Sequence, residues 1–411
     1  MQSDSPAAAP PAPNAAWATA ALGLVALVVT NGLTGPGLSA FDNALIDEFG
    51  WDRATLKLRD TVTYATAAVF LPAAGWAIDR FGVRWTMVAG SALLALGLFL
   101  YGSVATAWHM YAIHGLFSMA LALAGVGTVV IFVSSWFAPA RRGAALGLAI
   151  AGTSVGGIVV SQLNAWLLGT VGWRTAFEVE AGAAAAFVVL AALAVRPGPF
   201  KKSASAAADP DDTSLTFGQA VRTVPFWAIC ASGAITYFSI VGVLANLVLL
   251  AGDLGLTTAD GVNAISVLLL TTLGSKLAAG IVADKIGPYR LFRACFGVMA
   301  VGLVGLALLR PGWLLGASVV VGLGWGALFT LYNYVQIETF GLKAAGKITN
   351  TISIFKTIGA GLGPLVCAWL SDVTGSYAAP FWMMTGFLVT SLALSFLIRP
   401  VQRQPAGAVA A

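Results

Sequence analysis

The sequence predicts an all-α membrane protein of twelve transmembrane helices arranged as two six-helix halves. Three observations carry this. Of the 411 residues, 58% are hydrophobic and only 9% are charged, with a mean hydropathy of +0.87, whereas soluble domains carry about 25% charged residues. Apolar runs of about 20 residues, the length that crosses the hydrocarbon core of a bilayer, recur along the whole chain. Two residue patterns of the first half return in the second at nearly one offset.

Taken in order, residues 1–16 are rich in Ala, Pro and Ser and lack the basic stretch that precedes the apolar core of a cleaved signal peptide. A disordered cytoplasmic tail is expected there. Apolar windows follow near 17–41, 58–78, 85–105, 108–133, 144–168 and 173–195, and these make a first half over 17–195. A polar segment bearing Lys, Ser and Asp, 196–224, reads as a linker between the halves. Six further windows, near 226–251, 262–283, 291–309, 313–338, 348–370 and 380–398, make the second half, 225–398, before a short tail over 399–411.

Loop charges orient the chain. Fifteen of the 22 basic residues, among them Arg80, Arg84, Arg141, Arg142, Lys201, Lys202, Lys285, Lys343, Lys347 and Arg403, lie in the loops on the linker's side or in the C-terminal tail. By the positive-inside rule, both termini and the linker are cytoplasmic, and the expected location is the cell inner membrane. The net charge of +5 reflects this asymmetry, and nucleic acid is not an expected partner. The three cysteines, Cys230, Cys295 and Cys367, stand in separate apolar segments without metal-ligand spacing and read as small buried hydrophobes. No paired catalytic carboxylates, nucleophile–base set, metal cluster or phosphate loop is present, so neither enzymatic activity nor a cofactor is expected.

The repeats are specific. Gly75-Trp-Ala-Ile-Asp-Arg-Phe-Gly82 ends the second window and Gly280-Ile-Val-Ala-Asp-Lys-Ile-Gly287 ends the eighth, 205 residues later. Phe137, Gly143, Gly156, Trp166 and Gly172 recur as Phe340, Gly346, Gly359, Trp369 and Gly375, 203 residues later. Two copies of six spans describe a carrier built around a midplane site between its halves. The repeated Gly-x-x-x-Asp-(Arg/Lys)-x-Gly element, extended in the first copy to Arg84, resembles the loop signature of the major facilitator superfamily. That resemblance implies a tight interhelical turn and a gating role for Gly75, Asp79, Arg80, Gly82 and Arg84, and for Gly280, Asp284, Lys285 and Gly287 in the second copy; a simple positive-inside turn is the alternative.

A narrower resemblance rests on Trp136-Phe-Ala-Pro-Ala-Arg-Arg-Gly-Ala-Ala-Leu-Gly-Leu-Ala-Ile-Ala-Gly152, on Glu48-Phe-Gly-Trp-Asp-Arg53, and on Gly363-Pro364, Asp372 and Gly375-Ser-Tyr377. These stretches look like the monocarboxylate transporter family and its bacterial branch containing the oxalate:formate antiporter. The likeness covers nearly all of residues 17–398 and implies transport of small organic carboxylates. Carried over by position, Lys356 falls at that branch's eleventh-span, substrate-contacting lysine and Trp325 at its tenth-span tryptophan. Lys276 stands where the family usually has an arginine, which replaces a bidentate fork by a point charge. Thr272 stands where proton-coupled members often have an acid.

Depth supports the two lysines independently of the resemblance. Lys276 lies about 12 Å of helix from Asp284, and Lys356 about 15 Å from Gly346, at about 1.5 Å per residue. Neither has an Asp or Glu within one helical turn. A midplane lysine costs roughly 2.5–3.5 kcal/mol on insertion scales and faces the bundle interior or a water-filled cavity; snorkelling or a backbone carbonyl is the alternative. An anionic ligand is the missing partner.

Asn31, Tyr332 and Asn333 join Lys276, Lys356 and Trp325 as candidate substrate contacts, with interhelical packing as the alternative for each of the weaker ones. Thr34-Gly-Pro-Gly37 is expected to break the first helix. Gly152-x-x-x-Gly156 and Gly359-x-x-x-Gly363 read as close helix contacts rather than binding elements. His109 and His114 are given no proton role. Arg59 and Asp60 read as a solvated loop edge rather than an outer gate, and Glu178, Glu180 and Glu338 as minor candidates for protonation. The expected function is secondary active transport of a carboxylate by a monomer in the lipid bilayer, through alternating access and by exchange of an oxalate-like dicarboxylate. The alternatives are proton-coupled symport of a monocarboxylate such as lactate or pyruvate, and a non-transporting carboxylate sensor. A cationic-drug exporter does not fit the sign of the midplane charge.

Overall fold

A computed structural model describes residues 13–198, 215–341 and 344–400. The expectations for residues 1–12, for the linker between 199 and 214 with Lys201 and Lys202, for Lys343, and for the tail from 401 with Arg403 lie outside the described residues. Every regular element among the described residues is helical. The helices are α1 (Pro13–Thr34), α2 (Asp42–Phe49), α3 (Arg53–Tyr101), α4 (Ala107–Ala124), α5 (Val126–Ser134), α6 (Pro139–Ala194), α7 (Phe217–Ala220), α8 (Val224–Asp253), α9 (Thr258–Ile286), α10 (Pro288–Ala307), α11 (Leu314–Phe340), α12 (Ala345–Thr374) and α13 (Ala378–Ser395).

Ten helical stretches among these residues are long and apolar enough to cross a membrane. Two helices are broken by a glycine in a non-helical conformation, α3 at Gly82 (φ 77°) and α6 at Gly172 (φ 77°). With those breaks, residues 53–81 and 83–101 form separate rods, as do 139–171 and 173–194, and the described helices accommodate the twelve predicted spans. The repeat read in the sequence returns in the backbone: Gly287 (φ 90°) separates α9 from α10 as Gly82 divides α3, and Gly375 (φ 70°) separates α12 from α13 as Gly172 divides α6. Positive φ is the region that residues with a Cβ avoid, so these repeated glycines set where each helix pair turns. Pro36–Phe41 forms a 3-10 turn after α1, which places the predicted break of the first helix at Thr34. The expected fourth window is two helices, α4 and α5, which meet at Gly125.

Contacts divide the chain into two compact units, Met1–Leu38 with Thr66–Ala206, and Ser39–Ala65 with Ala207–Ala411. In the first unit α6 lies on α1 with nothing between their backbones. A Cβ at Gly152 would stand 2.4 Å from the Leu24 carbonyl oxygen, and one at Gly156 2.7 Å from that of Val28. Met87, Phe132, Phe137 and Phe187 fill the adjoining core. His114 is buried, with its Nε2 3.4 Å from the Tyr101 hydroxyl, while His109 is exposed.

In the second unit α12 lies on α8 in the same way. A Cβ at Gly359 would meet the Ala234 carbonyl oxygen at 2.0 Å, and one at Gly363 that of Phe238 at 2.1 Å. Both expected Gly-x-x-x-Gly pairs are therefore close-packing seams. Pro364 interrupts the α12 ladder, and Asn246 of α8 donates to its carbonyl at 3.3 Å and to that of Gly242 at 2.9 Å. All three cysteines are free and buried, as expected.

The segment Ser39–Ala65 brings a cluster of charged side chains, Asp42, Lys57, Arg59 and Asp60, into the second unit. Asp42, Lys57 and Arg59 are all but fully enclosed, at 0%, 0% and 1% exposure. Asp42 accepts from Lys57 and, at 2.5 Å, from Arg59, whose Nε lies 4.0 Å from an oxygen of Asp60. The expectation of a solvated edge at Arg59 is thus wrong. The physical reason is that a carboxylate seventeen residues earlier compensates the buried guanidinium, which the local charge pattern does not reveal.

Candidate functional site

The second unit presents a row of aromatic rings bounded at each end by one of the two lysines. Lys356 projects from α12 and is 7% exposed. Its ammonium lies 4.5 Å from the Tyr332 ring centroid and 5.5 Å from that of Tyr237. Among the described residues it makes no ion pair. The Tyr332 hydroxyl is 3.0 Å from Thr236 Oγ1, which fixes the ring. Tyr237 packs edge-on against Trp325 at 4.9 Å, and Trp325 against Phe329 at 5.8 Å. The half-buried Lys276 of α9 places its Nζ 4.3 Å from the Phe329 centroid.

The local folding explains the arrangement. Trp325, Phe329 and Tyr332 are spaced four and three apart on α11, so they share one helix face. Gly233 of α8 leaves a notch for the Lys356 stem, since a Cβ there would stand 3.1 Å from its Cγ and 3.3 Å from its Cε. A cation over aromatic faces gains about 0.5–2 kcal/mol. That offsets part of the cost of burying Lys356 but cancels none of its charge, so an anion entering here meets a desolvated cation already in place.

Thr272 is accounted for differently. It is buried, and its hydroxyl donates to the Gly322 carbonyl at 3.3 Å, joined by Ser275 at 3.2 Å. The position at which related carriers often carry an acid is here part of the α9–α11 seam.

Of the predicted site residues, the structure brings Lys276, Lys356, Trp325 and Tyr332 into one aromatic row. Asn333 is exposed on α11 and joins none of the ring contacts. Asn31 is partly buried in the first unit, where its amide donates to Thr30 Oγ1 at 3.3 Å. Tyr237 and Phe329 are additions that the sequence did not single out, because an aromatic residue in an apolar helix reads as packing.

In the repeated loop elements, Gly82 and Gly287 hold the positive φ already described, and Arg84 lies 5.2 Å over the Trp85 ring. Asp284 accepts from the Tyr334 hydroxyl at 3.2 Å. Asp79, Arg80 and Lys285 are exposed, and a Cβ at Gly75 or Gly280 would touch nothing.

Elsewhere in the unit a cavity of about 470 Å3 is lined by Arg53, Asp253, Asp372 and Tyr377. Arg53 forms two hydrogen bonds with Asp253, at 2.7 and 2.5 Å, approaches Asp372 at 3.9 Å, and lies 5.0 Å over the Tyr377 ring. Asp372 also accepts from the Ala54 amide at 3.0 Å, and the Tyr377 hydroxyl donates to Asn246 at 3.1 Å. Two stretches singled out in the sequence, the one ending in Arg53 and the Asp372–Tyr377 run, therefore meet. Arg53 is already paired with carboxylates there.

A family model described as the Major Facilitator Superfamily matches residues 20–364. The chain belongs to the major facilitator superfamily. The superfamily's members are membrane transporters, so this is a multi-pass membrane transporter that handles a small molecule. It is 25% identical over 368 residues to the oxalate:formate antiporter of Oxalobacter formigenes, across 86% of this chain and 82% of that protein. It is 26% identical over 333 residues to monocarboxylate transporter 11 of Homo sapiens, across 76% of this chain and 68% of that protein. Among solved structures, a bacterial homologue of the human lysosomal transporter Spinster, inward-facing and unoccupied, superposes with a TM-score of 0.79 at 13% identity, covering 96% of this chain and all of that one. At that identity the likeness shows the fold alone.

Proposed function

We propose that this major facilitator transporter carries small organic carboxylates by alternating access between two six-helix halves, 17–195 and 225–398, with Lys356 and Lys276 receiving the anion. One observation carries the reading: the Lys356 ammonium is enclosed, over two tyrosine rings, with no carboxylate of a described residue in ion-pairing range. The names of the relatives agree with it. Trp325, Tyr237, Phe329 and Tyr332 wall the anion. Empty, the site holds buried positive charge, which disfavours a dry occluded state. A bound carboxylate balances the Lys356 charge, so exchange is the favoured coupling, with an oxalate-like dicarboxylate as the expected cargo. The repeated Gly-to-Gly elements act as gates on the cytoplasmic side, with both termini on that side of the inner membrane.

Purified protein in liposomes tests this. Uptake of labelled oxalate is expected only when the vesicles contain a carboxylate, and Lys356→Ala abolishes it. Rapid uptake into empty vesicles removes exchange, and a Lys356→Ala protein that still transports at the wild-type rate removes the site.

A further inference from the structure

The first unit hides an acid that the lysine row does not use. Glu180, on the part of α6 that follows Gly172, is 1% exposed, and neither carboxyl oxygen has a hydrogen-bond partner among the described residues. The side chain within reach of its carboxyl is that of Asn164, itself fully buried, although the geometry falls short of a closed hydrogen bond. Asn164 donates one amide hydrogen to the Gly37 carbonyl oxygen at 3.1 Å, and its own carbonyl oxygen is unpartnered. The other titratable and charged groups around this stretch are accounted for. Arg174 and Glu178 on α6 are exposed. α3 brings Tyr101, stacked at 4.2 Å on Phe177, and α4 brings His114, paired with Tyr101. α1 carries no ionisable side chain.

We infer that Glu180 is a proton-binding site, held as the neutral acid in this conformation and read by Asn164. A bare carboxylate there would be buried with no cation of a described residue paired to it and only the Asn164 amide within reach, which costs several kcal/mol. The neutral acid supplies an O–H for the vacant Asn164 carbonyl oxygen. The ionised form instead attracts the amide hydrogens of Asn164, one of which holds Gly37. On ionisation the carboxyl O–H bond breaks, the proton passes to water admitted in another conformation, and the carboxylate keeps the electron pair. Gly37 stands in the Pro36–Phe41 turn, where the chain passes from the first unit to the second between Leu38 and Ser39. There is no slack at that turn, since a Cβ on Gly37 would stand 2.5 Å from the Gly32 carbonyl oxygen and 3.3 Å from the Asn164 amide nitrogen. Loss of the proton therefore pulls on the link between the units.

This inference is independent of the cargo, and its primary test needs none. Infrared spectra of the purified protein at neutral pH are expected to contain the carbonyl stretch of a protonated buried carboxyl, and Glu180→Gln removes that band. Glu180→Asp retains it, which separates loss of the proton from misfolding. Superposable wild-type and Glu180→Gln spectra from folded protein overturn the proposal. In liposomes, the pH step in the carboxylate exchange rate is lost in Glu180→Gln while exchange itself persists; a retained step overturns the link to Gly37. Absence of any carboxylate flux in the wild type would sink the cargo assignment and leave the infrared result standing.

Discussion

Two buried charged places in the second unit differ in what surrounds them. Around Asp42 the chain provides its own balance: Lys57 and Arg59 close on one carboxylate, with Asp60 beside them. Around the Lys356 ammonium the described residues provide aromatic faces and no paired carboxylate. Both places are shielded from solvent, so burial of charge does not by itself mark a ligand site. The proposed anion site rests on the missing counter-charge: Asp42 is paired with cations of its own chain, whereas Lys356 has no carboxylate of a described residue in ion-pairing range.

Removing a partner should separate the two most sharply. Asp42→Asn strands two buried cations and is expected to cost about 3–5 kcal/mol, read as a large fall in melting temperature. Adding Lys57→Met recovers part of the loss if the cluster is balanced as described. Lys356→Met is the converse case. The empty protein keeps or gains thermal stability, while the affinity for carboxylate falls by about 10- to 150-fold, as expected for losing a charged hydrogen bond worth about 1.5–3 kcal/mol. Loss of stability with affinity intact would reverse the comparison. Gly359→Ala, which alters the seam beneath Lys356 and no charge, is expected to cost about 1–3 kcal/mol, and more than Gly156→Ala because its backbone approach is 2.0 Å against 2.7 Å. The smallest effect belongs to Arg53→Gln. Its ion pairs are a quarter to a third exposed, so about 0.2–1 kcal/mol is expected, shrinking as salt is added.

Much of the fold was legible because membrane spans are written in hydropathy and their breaks in glycine. The pairing of Gly82 with Gly287, and of Gly172 with Gly375, appears both as a sequence offset and as a backbone conformation. The glycine seams on α6 and α12 were legible for the same reason. Lys356 and Lys276 stood out because a midplane charge is expensive wherever it points. What escaped was set by side-chain direction and distant partners. Arg59 looked solvated until Asp42 was placed on it, and Tyr237 and Phe329 looked like ordinary packing until ammonium groups were found over or beside their faces. The grouping of Ser39–Ala65 with the second unit rests on contacts such as Arg53 with Asp253, two hundred residues apart, which no local pattern announces.

The notch at Gly233 carries a practical consequence. Because the four-carbon stem of Lys356 rests where a side chain has been left out, its reach is governed from the neighbouring helix and not by the lysine itself. Enlarging that position would press on the Lys356 stem and tilt the charged tip while leaving every polar group unchanged; if the proposed anion site holds, the length of cargo accepted shifts with it.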